Sequence, residues 1–128
     1  MASNLSNNGL IGAWNSGPGS MLLIGLGTNE LRFYTSSGQL SAGTLALNTT
    51  YYIVGTFDGT YRRIYLNGLL VAGPTLGATP EASPGCAFEI SGYATGAEAF
   101  GGIIDEGAYY DRALTDAEVW AHWQAAQI

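Results

Sequence analysis

The sequence predicts an all-β domain, an antiparallel β-sandwich closed by one short C-terminal helix. Three observations predict it. Turn-forming residues recur every eight to twelve positions from Asn7 to Gly102, the spacing of a sandwich or barrel. Apolar side chains alternate with period two between those turns. One helix-start signature stands near the end of the chain, at Thr115-Asp116-Ala117-Glu118. A chain of 128 residues is one domain's worth, able to withdraw roughly two-thirds of its unfolded surface from water.

The expected strands are 10–14, 21–26, 31–35, 39–42, 51–58, 62–67, 69–72, 87–91 and 103–111. Between them lie Asn15-Ser16-Gly17-Pro18-Gly19, Ser36-Ser37-Gly38, Asp58-Gly59 and Asn67-Gly68. Asn-Gly between two apolar runs is the strongest of these turn signals, because both residues of a tight hairpin turn need positive φ. In the strand at 51–58, Ile53, Gly55 and Phe57 share one face and Tyr52, Val54 and Thr56 the other. In the next, Ile64 and Leu66 fall opposite Tyr65 and Asn67. One side of this sheet is therefore expected to face a core. From Gly73 to Gly85 the alternation breaks into Gly, Ala, Thr and three prolines, read as a crossover loop within the domain.

The helix follows from its start. The Thr115 hydroxyl and the Glu118 carboxylate fit a capping box, with Leu114 and Val119 as a hydrophobic staple around it. Val119, Trp120, Trp123 and Ala126 lie on one helical stripe. Two tryptophans on that stripe imply packing on a large surface, most simply the outside of a sheet.

Composition narrows the function. Apolar residues are 47% of the chain and charged residues 11%, against about 25% charged in an average domain, so Ser, Thr, Asn and Gly must carry the surface. Four arginines, no lysine and ten acids give a net charge of −6. The adjacent Arg62 and Arg63 would point to opposite faces of a strand, which leaves no cationic cluster for nucleic acid or an anionic membrane. Cys86 is single, which excludes an internal disulfide. No apolar run approaches the roughly 18 residues of a membrane helix. The start, Met1-Ala2-Ser3-Asn4, lacks the basic and hydrophobic regions of a secretory signal.

Two stretches carry a family likeness. The first is Tyr51-Tyr52-Ile53-Val54-Gly55-Thr56-Phe57-Asp58-Gly59, followed by Arg63-Ile64-Tyr65-Leu66-Asn67-Gly68-Leu69-Leu70-Val71-Ala72. The second is Phe100-Gly101-Gly102-Ile103-Ile104-Asp105-Glu106, then Tyr109-Tyr110-Asp111-Arg112-Ala113-Leu114-Thr115 and Glu118. Together they resemble the laminin-G-like, concanavalin A-like jelly-roll family, which includes lectins and glucanases. The resemblance implies a jelly-roll β-sandwich over one domain, 1–128. Against the family pattern, the strand pair that usually precedes the segment at 10–14 is missing. A sheet edge left open in that way invites self-association or pairing with another structural protein.

Catalysis is not expected. A nucleophilic triad needs a histidine within reach of its nucleophile, and the only histidine, His122, stands inside the helix between the tryptophans. Glycanases of this sandwich use two carboxylates about 5–5.5 Å apart when they retain configuration. In a strand at 103–111, Asp105 and Glu106 would point to opposite faces instead. Arg112 is expected to pair with one of them and tie the last strand to the helix. No cofactor is expected apart from a candidate calcium ion, which some relatives hold at the sandwich rim. Asp58, Asn67 and Asp105 occupy the matching positions, although the first two are also explained as turns. Trp14, Tyr34, Tyr61 and Tyr93 are the candidate ligand contacts, since a sugar needs an exposed ring among neutral hydrogen-bonding groups. Glu106, Arg112, Thr115, Glu118, Trp120 and Trp123 are assigned structural roles. Two functions follow as expectations. One is a non-catalytic surface module for a glycan or protein; the other is a decoration or fibre-associated subunit of a virus particle. Both place the chain outside cells or on a virion surface.

Overall fold

The computed structural model describes residues 8–14, 19–24, 29–35, 38–77, 88–91 and 101–127. Eight strands and one helix follow in order: β1 (Asn8–Trp14), β2 (Gly19–Ile24), β3 (Glu30–Thr35), β4 (Gly38–Thr44), β5 (Ile53–Phe57), β6 (Tyr61–Leu66), β7 (Leu69–Leu76), β8 (Glu89–Ile90) and α1 (Asp116–Ala125). The strands form two antiparallel sheets, β4-β3-β2-β1-β8 and β5-β6-β7. The fold is thus the antiparallel sandwich with a C-terminal helix that the turn spacing predicts.

The Asn67-Gly68 turn joins β6 to β7 as expected. Asn67 and Gly68 take φ of 51° and 82°, and Leu66 pairs with Leu69 across them. Asn67 also ties the hairpin to β5, because its side-chain oxygen accepts from the Tyr52 amide at 2.9 Å.

Alternation assigns the two faces correctly. Ile53 pairs with Leu66 and Gly55 with Ile64, and these look inward onto Leu10, Leu22, Leu31, Phe33 and Leu45. Gly55 interrupts this face for a steric reason. A Cβ there would stand 3.1 Å from Leu22 Cδ2 and 3.2 Å from the Phe33 ring, so the sheets approach closely only where no side chain intervenes. The outward residues Val54 and Tyr65, also cross-strand partners, belong with Tyr52 to a second cluster built on Leu114 and Val119.

That second cluster is the seat of α1. The capping box forms, with the Glu118 amide donating to Thr115 Oγ1 (3.2 Å) and the Thr115 amide to Glu118 Oε2 (2.8 Å). Two amides that helix geometry leaves unpaired are thereby satisfied. Val119 is fully buried, and the Tyr65 hydroxyl donates to the Asp116 carboxylate. The helix therefore lies on the outer face of the three-stranded sheet.

Four expectations need correction. The segment at 103–111 is not a strand. The Asp105 carboxylate accepts the Glu106 amide at 2.9 Å and Glu106 takes φ of 52°. A side chain that captures the next backbone amide competes with a ladder, and only Ile104 of this stretch packs on the core. The alternation reading of Asp105 and Glu106 lapses with the strand. Arg112 pairs with neither of them. Its fork holds both Glu118 oxygens, at 2.9 and 2.8 Å, because the capping-box carboxylate already faces the helix entry. The helix stripe is also narrower than expected: Trp123 is half-buried against Tyr52, with ring centroids 6.1 Å apart, but Trp120 stays 42% exposed. Finally, β7 runs on to Leu76, so the first residues of the expected crossover loop, from Gly73 to Leu76, belong to a strand instead. Residues 78–85 of that loop, and Cys86 after it, lie outside the described residues.

Candidate functional site

One end of the sandwich gathers most of the candidate ligand contacts. There β1 ends at Trp14 opposite Gly19, and Thr35 at the end of β3 faces Ser20 and Gly38. In the second sheet β6 begins at Tyr61 opposite Leu76. A Cβ on Gly38 would stand 3.0 Å from the Arg62 guanidinium, which places the ends of both sheets at one rim. Trp14, Tyr34 and Tyr61 thus belong to the same rim by strand position. The side chain of Trp14, and Tyr93 altogether, lie outside the described residues.

Tyr61 is the best-defined member. Its side chain is 39% exposed at the tip of the β5–β6 turn. Asp58 fixes that turn, since one carboxylate oxygen accepts the Thr60 and Tyr61 amides at 2.9 and 2.8 Å. The other oxygen takes Arg63 Nη1 at 2.6 Å. Arg63 then lies 5.8 Å from the centroid of the Tyr61 ring, within cation–π range. The turn therefore presents one aromatic ring in a fixed orientation, backed by a paired cation.

Arg63 and the two turn amides hold the Asp58 carboxyl well below the usual range, at about 2. Arg112 and the Thr115 amide do the same for Glu118, also at about 2. A depressed carboxylate contributes stability that is present above the unfolded value near 4 and lost as pH falls through the folded one. We therefore expect the turn and the helix cap to loosen together between about pH 4 and pH 2. The amide signals of Thr60 and Glu118, followed by NMR across that window, check it; signals unchanged down to pH 2 would contradict it.

Tyr34 sits differently. It is half-buried on the outer face of β3, on the same side as Glu30 and Arg32. Arg32 donates twice to Glu30 Oε2, at 2.9 and 2.6 Å, and the Ser41 hydroxyl donates to the other oxygen. This stripe is polar and fully paired, an outer wall beside the rim.

The candidate calcium residues do not converge. Asp58 and Asn67 cap opposite ends of β6, a strand of six residues and so roughly 20 Å long. Asp105 is committed to the Glu106 amide. Among the described residues no group of three or more His, Cys, Asp or Glu side chains is placed to hold a metal. His122 is half-buried in α1, its ring 5.9 Å from that of Tyr110.

Two features went unread in the sequence. Arg62 is 5% exposed and faces the core at this rim. The signal was present, because alternation puts Arg62 on the side of Ile64 and Leu66. The second is a shallow groove of about 350 Å³ between α1 and β7, lined by Tyr65, Gly68, Leu69, Leu70 and Trp120. Leu69, Leu70 and Val71 beside it are 60%, 41% and 45% exposed, an apolar strand edge of the kind that protein partners cover.

A family model described as the concanavalin A-like lectin/glucanases superfamily, of laminin-G type, matches residues 2–120. No curated protein matches the chain. Among solved structures, an S-layer domain-containing protein from Clostridium thermocellum (residues 221–444) is similar at 17% identity and a TM-score of 0.43. The likeness covers 96% of this chain and 65% of that one, so this chain spans less than two-thirds of its length.

Proposed function

We propose that this chain, which belongs to the concanavalin A-like lectin/glucanases superfamily, is a non-catalytic module that recognises a glycan or protein surface outside the cell. The observation that carries this reading is the Tyr61 ring, exposed at the rim and fixed from behind by Asp58 and Arg63. A ring held in one orientation loses little entropy when a ligand stacks on it. The absence of catalysis is supported by the position of His122 in the docked helix and by Asp105, whose carboxylate is engaged by the backbone. A glycan array with the wild-type chain and with Tyr61→Ala tests the reading. We expect a wild-type signal and a loss of about tenfold or more in affinity on removing the ring, the range of one base-sized stacking contact. Equal signals from both proteins would contradict it.

The second reading, a decoration or fibre-associated assembly subunit, is favoured by a different observation. The edge strand β7 carries no charge over its eight residues and exposes Leu69, Leu70 and Val71, the first two lining the groove with Trp120. Yet β7 is blunted as a pairing edge. Its register with β6 shifts twice, and Pro74 offers no amide; bulges and proline are how edges avoid strand addition. An assembly contact here would therefore use side chains over the groove rather than a continued sheet. Light scattering distinguishes the readings, a monomer favouring recognition and a defined oligomer favouring assembly.

A further inference from the structure

We infer that β8 and the loop at 103–111 beside it form a docking face for a basic, apolar segment of another protein. None of its residues lines the rim or the groove described above. Its centre is aromatic and aliphatic. Phe88 and Ile90 are 48% and 50% exposed, and Tyr109 and Ile103 of the loop 71% and 95%. The Phe88 and Tyr109 rings meet edge to face, with centroids 5.4 Å apart. A Cβ on Gly107 would stand 3.1 Å from Ile90 Cδ1 and 3.5 Å from Ile11 Cδ1, so the loop lies against β8. Exposed apolar side chains joined in this way, rather than scattered singly, mark a surface that a partner covers.

The charges of the same loop say what kind of partner fits. Asp105, Glu106 and Asp111 are all exposed. Asp105 gives one oxygen to the Glu106 amide, and none of the three joins an ion pair among the described residues. The arginines are committed elsewhere: Arg32 to Glu30, Arg63 to Asp58 and Arg112 to Glu118. Arg112 senses the charge of Asp111 beside it, but its fork is taken by both Glu118 oxygens. Arg62 is 5% exposed. The acids of the loop are thus left for an incoming cation.

An apolar centre among charged neighbours is the anatomy of a protein–protein contact, and complementary charge selects the partner. A second copy of this chain does not qualify. It has no lysine, its arginines are paired or buried, and a net charge of −6 makes two copies repel at long range. A glycan leaves Ile90 and Ile103 uncovered, because aliphatic side chains ask for apolar atoms. A segment that alternates cations with aliphatic side chains meets both demands. At two residues, β8 is too short to extend the sheet far, so side chains rather than added backbone pairing hold the segment.

The test titrates the full chain with three short peptides, following backbone amides by NMR. One combines lysine and leucine, one lysine and serine, and one glutamate and leucine. The lysine–leucine peptide is expected to bind about tenfold or more tightly than either control, and to shift amides at 88–91 and 103–111. Tyr109→Ala, a truncation at an exposed site, should weaken it by about tenfold or more, the range of an aromatic anchor. Glu106→Gln with Asp111→Asn should weaken it as well and flatten its dependence on salt. Equal binding of the lysine–serine peptide overturns the apolar centre, and equal binding of the glutamate–leucine peptide overturns the role of the acids. Absence of binding, or shifts confined to Leu69, Leu70 and Trp120, overturns the docking face altogether. So does an oligomer of the wild type that Tyr109→Ala dissolves, since the partner would then be a second copy.

Discussion

Gly68→Ala is expected to destabilise the domain by roughly 2–5 kcal/mol, the sum of a left-handed backbone cost and an overpacking cost. Gly68 has φ of 82°, and a Cβ there would stand 2.6 Å from Trp123 Cδ1 and 2.8 Å from Trp120 Cε3. The turn that makes the β6–β7 hairpin is thus also the floor on which α1 rests. One methyl group must both strain the turn and lift two tryptophans. Urea unfolding measures the loss, and tryptophan fluorescence should shift to the red as the rings gain water. A change below about 1 kcal/mol, the cost of the backbone strain at its minimum, would mean that the tryptophans do not seat on this turn.

Tyr65→Ala is the second large effect, expected at about 3–5 kcal/mol. Tyr65 is 2% exposed and lies at the centre of the cluster that includes Leu114 and Val119. Tyr65→Phe separates packing from polarity. It loses the hydroxyl's hydrogen bonds, chiefly the one to Asp116, an exposed carboxylate that water can serve, so about 1 kcal/mol is expected. The phenol adds an alkaline signature. Burial, and then Asp116, push it up to about 12, against about 10 in the unfolded chain. A raised folded value gives stability that is complete below pH 10 and lost as pH climbs towards 12. The wild type should therefore lose more stability over that window than Tyr65→Phe. Identical slopes, or equal losses for the Phe and Ala variants, would contradict this account of the helix seat.

The elements differ in how plainly the sequence announces them, and the reasons are physical. Asn67-Gly68 and the capping box at Thr115 are local: a few residues determine their geometry, and tertiary context has nothing to override. The faces of β5 and β6 were legible because one side must bury Ile53, Ile64 and Leu66, and a shift of one residue would expose all three. The segment at 103–111 has the same apolar content but contains Asp105, whose side chain can take the next amide. Alternation cannot distinguish a ladder from that capture. The two tryptophans of α1 satisfy one helical stripe, yet the helix overhangs the edge strand β7, so Trp123 is half-buried while Trp120 borders the groove. Among the site residues, Tyr61 follows from its place in a tight turn. Arg62 was overlooked because sequence displays a charge without showing which strand ends lie above it. The Asp58, Asn67 and Asp105 set failed for the matching reason: similar motif positions do not ensure a shared end of the sandwich.

Recognition at the rim is most directly tested by mapping a bound ligand onto the chain. The strongest glycan from the array would be titrated into isotope-labelled protein, and the backbone amide shifts assigned. The expected shifts concentrate at residues 58–63 and at Thr35 and Gly38, with Leu69, Leu70 and Trp120 unmoved. Shifts confined to β7 and α1 would contradict recognition at the rim and transfer the functional surface to the groove.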